Sequence, residues 1–77
     1  MPTLFRLFGL RFFFYSNEHL PIHLHVSNAD GEAKFEVDPT VRLITNYGLK
    51  NKDIKLAEAI IEENRELIIE RWENYFN

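Results

Sequence analysis

The spacing of apolar residues changes once along the chain, near residue 51. Before that point apolar and polar residues alternate or run in short blocks, which is typical of β-strands. From about Asn51 the apolar residues recur at three- and four-residue steps, as in an amphipathic helix. The sequence therefore predicts an α+β fold: an antiparallel meander of three to four strands with one or two C-terminal helices packed on one face. A chain of 77 residues is expected to form a single domain, residues 1–77.

Four segments carry the strand pattern. They are Phe5 to Tyr15, Ile22 to Ser27, Glu32 to Val37 and a shorter one, Val41 to Thr45. The first is apolar on both faces, which predicts that it is covered on both sides or lies in an interface. Turn-forming residues separate the segments: Ser16-Asn17-Glu18, Asn28-Ala29-Asp30-Gly31 and Asp38-Pro39-Thr40.

The C-terminal region carries one apolar stripe with an interruption. The stripe consists of Ile54, Ala57, Ile61, Ile68, Trp72 and Tyr75. Asn51 stands where it begins and is predicted to be the helix N-cap. Glu63-Asn64-Arg65 is polar where the stripe needs an apolar residue, so the region is either one helix or two shorter helices with Asn64 capping the second.

The dipeptide Asp30-Gly31 predicts a tight hairpin between the second and third strands. A type I′ turn needs positive φ at both central residues, and Asp-Gly tolerates this well. With the turn at that place, His25 lies opposite Glu36. A shift by one side-chain period would instead place His25 opposite Lys34 and would still match the apolar faces. We expect the first register, because it places an imidazole beside a carboxylate.

The three histidines of the chain lie close together, from His19 to His25. His23 and His25 are two residues apart on a strand, so both project from one face, while Leu24 and Val26 project from the other. Imidazole titrates near neutral pH and binds transition metals. We therefore expect the functional site on the histidine face. The helices must cover the apolar face, so both rings are expected to be partly accessible.

The sequence leaves three interpretations of the histidines open. The rings can be ordinary strand residues whose polar atoms find partners, as buried polar groups normally do. They can form a divalent metal site, for example for zinc, in which His19 or Glu36 joins His23 and His25. They can also be catalytic, with His25 and His23 acting as acid–base groups in a small nuclease. No cofactor-binding motif accompanies them.

Composition and charge narrow the class of protein. The chain has no cysteine, so disulfides and thiolate metal sites are excluded. Seven phenylalanines, three tyrosines and one tryptophan exceed what a small core obviously needs, which predicts a homo-oligomer formed through the first strand or the helical face. The net charge of −3 does not support nucleic-acid binding. No segment is apolar enough for a membrane span or a secretion signal, so we expect a soluble cytoplasmic protein.

An ordered set of residues spans the chain: Met1-Pro2-Thr3, Gly9, Tyr15, Asn17-Glu18-His19, Pro21, His23-Leu24-His25-Val26 and Trp72. In this set the chain resembles domain-of-unknown-function family 4160, whose members are small bacterial domains with an acid-His-Pro-Pro-Pro-His-aromatic-His-Val segment. The chain departs from that segment at Leu20 and Ile22, where two of the prolines usually stand, and at Leu24, where phenylalanine is common.

The resemblance implies that the chain binds another protein, rather than that it catalyses a reaction. Members of the family are often encoded beside another small domain, an arrangement suggestive of toxin–antitoxin pairs. The chain is therefore expected to be a protein-interaction module, one component of such a pair, with a cognate small protein as partner and the His-x-His face as its functional surface. The alternative is a small nuclease or metal-binding enzyme that uses the histidine cluster. An enzyme would lose activity, but not partner binding, when His23 or His25 is replaced by alanine.

Overall fold

The computed structural model describes residues 3–16 and 18–76. In this part of the chain five strands precede two helices: β1 Thr3–Leu7, β2 Leu10–Phe13, β3 His23–Ser27, β4 Glu32–Glu36, β5 Arg42–Tyr47, α1 Asn51–Glu63 and α2 Arg65–Phe76. The strands form one antiparallel sheet in the order β1-β2-β3-β4-β5. The predicted α+β meander with C-terminal helices is confirmed, with one strand more than expected. Asn17, part of the first predicted turn, and Met1-Pro2 lie outside the described residues.

The additional strand arises within the segment that was predicted as one strand, Phe5 to Tyr15. The chain reverses direction at Phe8-Gly9, where φ is 54° and 79°. Positive φ at both central positions is what a type I′ hairpin turn requires, and Leu7 then pairs with Leu10. The single-strand prediction was wrong because Phe8 adopts a left-handed conformation that bulky residues rarely take. A phenylalanine at this position therefore does not indicate a turn.

The hairpin changes which faces the aromatic side chains occupy. Phe12 and Phe14 lie in the core, and Phe5 packs on Phe12 with ring centroids 4.8 Å apart. Phe13 lies on the opposite face and stacks on His25 at 5.5 Å. Both faces of β2 are therefore covered within the domain, and this strand needs no second subunit to cover it. Self-association stays a prediction from composition.

Both helices pack on the face of the sheet that carries Leu24 and Val26, as the alternation along β3 predicted. The resulting core is a single cluster of apolar residues in which Leu24 is completely buried. Ile61 of α1 and Ile68 of α2 are completely buried as well. Among the residues described, no helix is both long enough and apolar enough to cross a membrane.

The helical region is divided at the predicted position. Asn64 ends α1: its backbone N–H donates to Ile60 O at 3.0 Å, and its side-chain amide donates to the same oxygen at 2.8 Å. Arg65 then begins α2 and donates from Nε to Val37 O at 2.9 Å, which ties the second helix to the end of β4. At the other end of α1, the N-cap is Lys50 rather than Asn51, and it makes no side-chain capping hydrogen bond.

The β3–β4 hairpin adopts the alternative register. His25 lies opposite Lys34, and His23 lies opposite Glu36. The predicted pairing of His25 with Glu36 was therefore wrong. The apolar faces still match because the difference is one full side-chain period.

The register follows from the loop between these strands. Asn28 N–H donates to Gly31 O at 3.0 Å, and Asn28 Oδ1 accepts from the N–H groups of Asp30 at 2.8 Å and Gly31 at 3.2 Å. A four-residue loop organised by the Asn28 side chain thus replaces the two-residue Asp-Gly turn. Positive φ occurs, among the described residues, only at Phe8, Gly9 and Gly48, so Asp30-Gly31 lacks type I′ geometry.

Candidate functional site

The histidine face carries a cluster of three titratable side chains, Glu18, His23 and His25. The two histidines project from the same face of β3, as predicted, and Glu18 reaches them from the connection between β2 and β3. Glu18 Oε1 lies 2.9 Å from His23 Nε2, and Glu18 Oε2 lies 2.8 Å from His25 Nε2. One carboxylate therefore joins both imidazoles. We call these residues the Glu18–His23–His25 cluster.

The cluster is buried. The side chains of Glu18, His23 and His25 are 10%, 8% and 10% exposed. Tyr15 and Phe13 pack against the His25 ring at centroid distances of 4.3 and 5.5 Å. The expectation that both rings are partly accessible was wrong, because the connection between β2 and β3 returns over the histidine face and covers it.

Hydrogen bonds fix the orientation of the His23 ring. Its Nδ1 lies 2.8 Å from Pro21 O, and since a carbonyl oxygen only accepts, Nδ1 carries a proton. Its Nε2 faces a Glu18 carboxylate oxygen, which also accepts when it is ionised. Both nitrogens of the ring are therefore engaged, and together these two contacts fix its orientation.

The His25 ring is held differently. Its Nε2 donates to Glu18, while its Nδ1 lies 3.5 Å from Glu32 Oε2, which is longer than a normal hydrogen bond. Tyr15 links the two acids, because its hydroxyl donates to Glu32 at 2.7 Å and its backbone N–H donates to Glu18 at 3.1 Å. The hydrogen bond to Glu32 raises the pKa of the Tyr15 hydroxyl, with a further contribution from burial, so Tyr15 remains a donor.

The pKa values of His25 and Glu18 are both lower than those of the free side chains. Burial lowers the pKa of His25 and outweighs the opposing effect of the Glu18 charge, so this ring favours its neutral form. Burial acts to raise the pKa of Glu18. The hydrogen bonds from Tyr15 N–H and His23, together with the histidine charges, overcome this effect and lower it, so the carboxylate stays ionised.

Acidification is expected to destabilise the domain through these two groups. Each group has a lower pKa in the folded chain than in the unfolded chain, so the unfolded chain binds more protons. The free energy of unfolding therefore decreases as the pH is lowered. His25 contributes first, below its ordinary value of 6.5, and Glu18 contributes below its ordinary value of 4.5. Urea unfolding measured from about pH 7.5 to about pH 3 covers both contributions and tests this.

The matched control for this measurement is His25→Gln, which should flatten the upper part of the pH dependence. An unfolding free energy that stays constant or rises as the pH falls through this range would contradict the assignment.

The other predicted ligands lie apart from the cluster. His19 is exposed, and the Glu36 carboxylate is engaged by Arg42, whose Nε and Nη2 lie 3.0 and 2.9 Å from Oε1. The cluster itself brings three possible metal ligands within 4.8 Å of one another. Sequence reasoning missed Glu18 as a member of it. The available signal was its place as the acid of the acid-His segment, which we assigned only to a turn.

Two shallow depressions flank the segment from Glu18 to Leu20. The first, of ≈ 380 Å³, lies against α2 and is also lined by Ile22, Trp72, Glu73 and Phe76. The second, of ≈ 330 Å³, lies towards β5 and is also lined by Pro21, His23, Lys34, Glu36, Arg42 and Ile44. His23 is thus the member of the cluster, besides Glu18, that borders an open surface.

The arrangement of the cluster suits a metal-binding or proton-binding site better than a catalytic general base. Two imidazole nitrogens and a carboxylate are common ligands of divalent transition metals. A general base must reach the proton that it removes, whereas both Nε2 atoms here already face Glu18.

Comparison with known proteins identifies a family. Curated protein sequences gave no match, and solved structures gave none. The sequence profile of a family described as Domain of unknown function (DUF4160) matches residues 9–73. The matched region includes the whole Glu18–His23–His25 cluster, strands β2 to β5 and nearly all of the helical layer. The chain therefore belongs to the DUF4160 family.

Proposed function

We propose that this domain is a protein-interaction module, one component of a toxin–antitoxin-like pair, which binds a small cognate protein at the second depression and along β5. The observation that carries this proposal is an exposed edge strand beside a depression that Leu20 and Ile44 border. The histidines themselves are buried, so the contact surface is formed by the residues around and above them.

β5 is an edge of the sheet, and its outer side is unpaired within the described residues. All of its residues except Thr45 are exposed, and Leu43 and Ile44 are each 39% exposed. The strand contains no proline or lysine, which commonly protect sheet edges. An unprotected edge offers backbone N–H and C=O groups to an added strand, a common way of binding an extended segment of a partner.

The second depression supplies side-chain contacts next to this edge. Leu20 is 75% exposed on one side of it, and Ile44 lies on the other. Ile44 is the extra residue of a β-bulge, because Lys34 pairs with Thr45 and the next pair skips it. Bulges often redirect a side chain at a sheet edge. An apolar centre with a polar rim is the usual anatomy of an interface.

Lys34 gives the depression a basic side chain that an acidic residue of the partner segment can meet. Lys34 and Arg42 line it, and the Glu36 carboxylate is neutralised by its ion pair with Arg42. Lys34 makes no ion pair within the part of the chain described. Complementary charges raise the association rate and help to align the partner.

The test uses as binding partner a small protein encoded next to the gene for this domain, the arrangement that the family resemblance implies. Ile44→Glu should weaken the complex by about 30-fold or more, because a charge replaces an apolar contact at the interface centre. The matched control is Leu67→Glu on α2, since Leu67 is 38% exposed, close to the 39% of Ile44. Isothermal titration calorimetry measures both affinities, and circular dichroism confirms that both variants fold.

Equal affinity of the Ile44→Glu variant and the wild type would contradict the proposed surface. Absence of any complex between the two wild-type proteins would contradict the proposed function itself.

A further inference from the structure

We propose that the Glu18–His23–His25 cluster binds one divalent first-row transition-metal ion, through both imidazole Nε2 atoms and the Glu18 carboxylate. This ligand set differs from the one predicted from sequence, which joined the two histidines with His19 or Glu36. The inference does not rest on the proposed partner, because the three ligand atoms belong to buried side chains.

The first argument is the convergence of three ligand atoms of the right kind. The imidazole nitrogens and a carboxylate oxygen lie within 4.8 Å of one another, at side chains that are at least nine-tenths buried. Burying an acid and two histidines is costly unless their polar atoms are satisfied. Here both nitrogens point at the same carboxylate, so a small displacement of Glu18 makes room for an ion between them.

The second argument is that the Nδ1 atom of each imidazole ring faces an oxygen atom that can hold the ring in place. His23 is oriented by the hydrogen bond from Nδ1 to Pro21 O, and His25 has the Glu32 carboxylate beside Nδ1 at 3.5 Å. Metal-binding histidines usually donate their other ring N–H to a backbone carbonyl or a carboxylate, which fixes the tautomer and the ring angle. Both rings therefore present Nε2, and not Nδ1, to the shared centre.

Metal binding requires only local proton changes. The bonds that form join the metal to the two Nε2 atoms and to the carboxylate, and the Nε2–H hydrogen bonds to Glu18 are lost. His23 keeps its proton on Nδ1, facing Pro21, and binds the metal through Nε2, and any proton on Nε2 passes to solvent. His25 changes tautomer, so that its single proton moves to Nδ1, facing Glu32. No oxidant or further reactant is needed.

The donor set indicates which ions fit. Imidazole suits zinc, iron, nickel and cobalt, whereas magnesium and calcium prefer oxygen ligands alone. Three protein ligands leave at least one position for water or another small ligand. The second depression, which His23 lines, gives that position a route to solvent.

The test is a zinc titration of protein purified without a histidine tag and treated with a chelator. Calorimetry should show one zinc ion per chain, and zinc should raise the melting temperature. Magnesium at the same concentration should do neither. Glu18→Gln and His25→Gln should each weaken zinc binding by about 100-fold or more. His19→Gln, which removes an exposed neighbouring imidazole, should change the affinity less than about threefold.

A second measurement keeps the proposal testable if a buried variant fails to fold. In the wild-type protein, ¹⁵N spectra of the histidine rings should show the Nε2 signals of His23 and His25 shifting on addition of zinc, with His19 unchanged. The proposal is overturned if zinc does not bind, if the His19 ring alone responds, or if folded His25→Gln binds zinc as tightly as the wild type.

Discussion

Replacement of Glu18 with alanine is expected to lower the free energy of unfolding by about 3–5 kcal/mol in the metal-free protein. The carboxylate is the shared hydrogen-bond acceptor of His23 and His25 and also accepts from Tyr15 N–H. Its removal leaves the His23 and His25 rings, both buried, and the Tyr15 N–H without their shared partner. Urea unfolding near neutral pH measures the loss.

Two further substitutions serve as controls: one changes only the charge at position 18, and the other removes a glutamate elsewhere. Glu18→Gln keeps the shape and one acceptor oxygen, so it should lose less stability than Glu18→Ala. Glu62→Ala removes an exposed glutamate from α1 and should change the free energy by less than about 0.5 kcal/mol. A loss below about 1 kcal/mol for Glu18→Ala would show that the cluster does not hold the β2–β3 connection in place.

The part of the fold that could be predicted is the part governed by periodicity. Alternation along β3 correctly placed Leu24 under the helices and both histidines on the other face, because side-chain parity on a strand does not depend on distant contacts. The change of period near Asn51 located the helical layer, and a polar interruption located Asn64 at its division. These signals are local, and the structure confirms them.

The single first strand and the β3–β4 register were predicted wrongly for a common reason. In both places the backbone adopts a conformation that the residue types at the turn do not indicate. Phe8 takes positive φ beside Gly9 and creates a hairpin inside an apolar run. In the β3–β4 loop, the side chain of Asn28 closes a four-residue turn, although Asp30-Gly31 carried the stronger turn signal. A side-chain hydrogen bond thus outweighed a dipeptide preference, and the register moved by two residues.

The site was half predictable for a related reason. A His-x-His pattern on a strand guarantees two imidazoles on one face, but it does not say what covers them. Glu18 belongs to a connection without regular secondary structure, and its position depends on how that connection returns across the sheet. Because this connection supplies both the cover and Glu18, the same missed contact explains the wrong expectation of accessibility and the omission of Glu18 from the predicted cluster.

The structure also revises how the two faces of β3 should respond to mutation. If His25 were accessible, as its place on the strand suggested, His25→Ala would cost about 1 kcal/mol or less, the magnitude usual at a surface. The ring is buried and donates to Glu18, so its removal leaves an acceptor unsatisfied and a gap beside Phe13. We now expect a cost of about 2–3 kcal/mol for His25→Ala.

Leu24→Ala is expected to cost about 2–5 kcal/mol of unfolding free energy, because the side chain is fully buried between the sheet and the helices. The lost apolar transfer energy and the cavity left behind both contribute, and the spread reflects how far the neighbouring side chains can collapse. Leu43→Ala is the matched control: the same atoms are removed from a strand residue that is 39% exposed, and the cost should stay below about 1 kcal/mol. Equal losses for the two variants would mean that the helices do not pack on the Leu24 face.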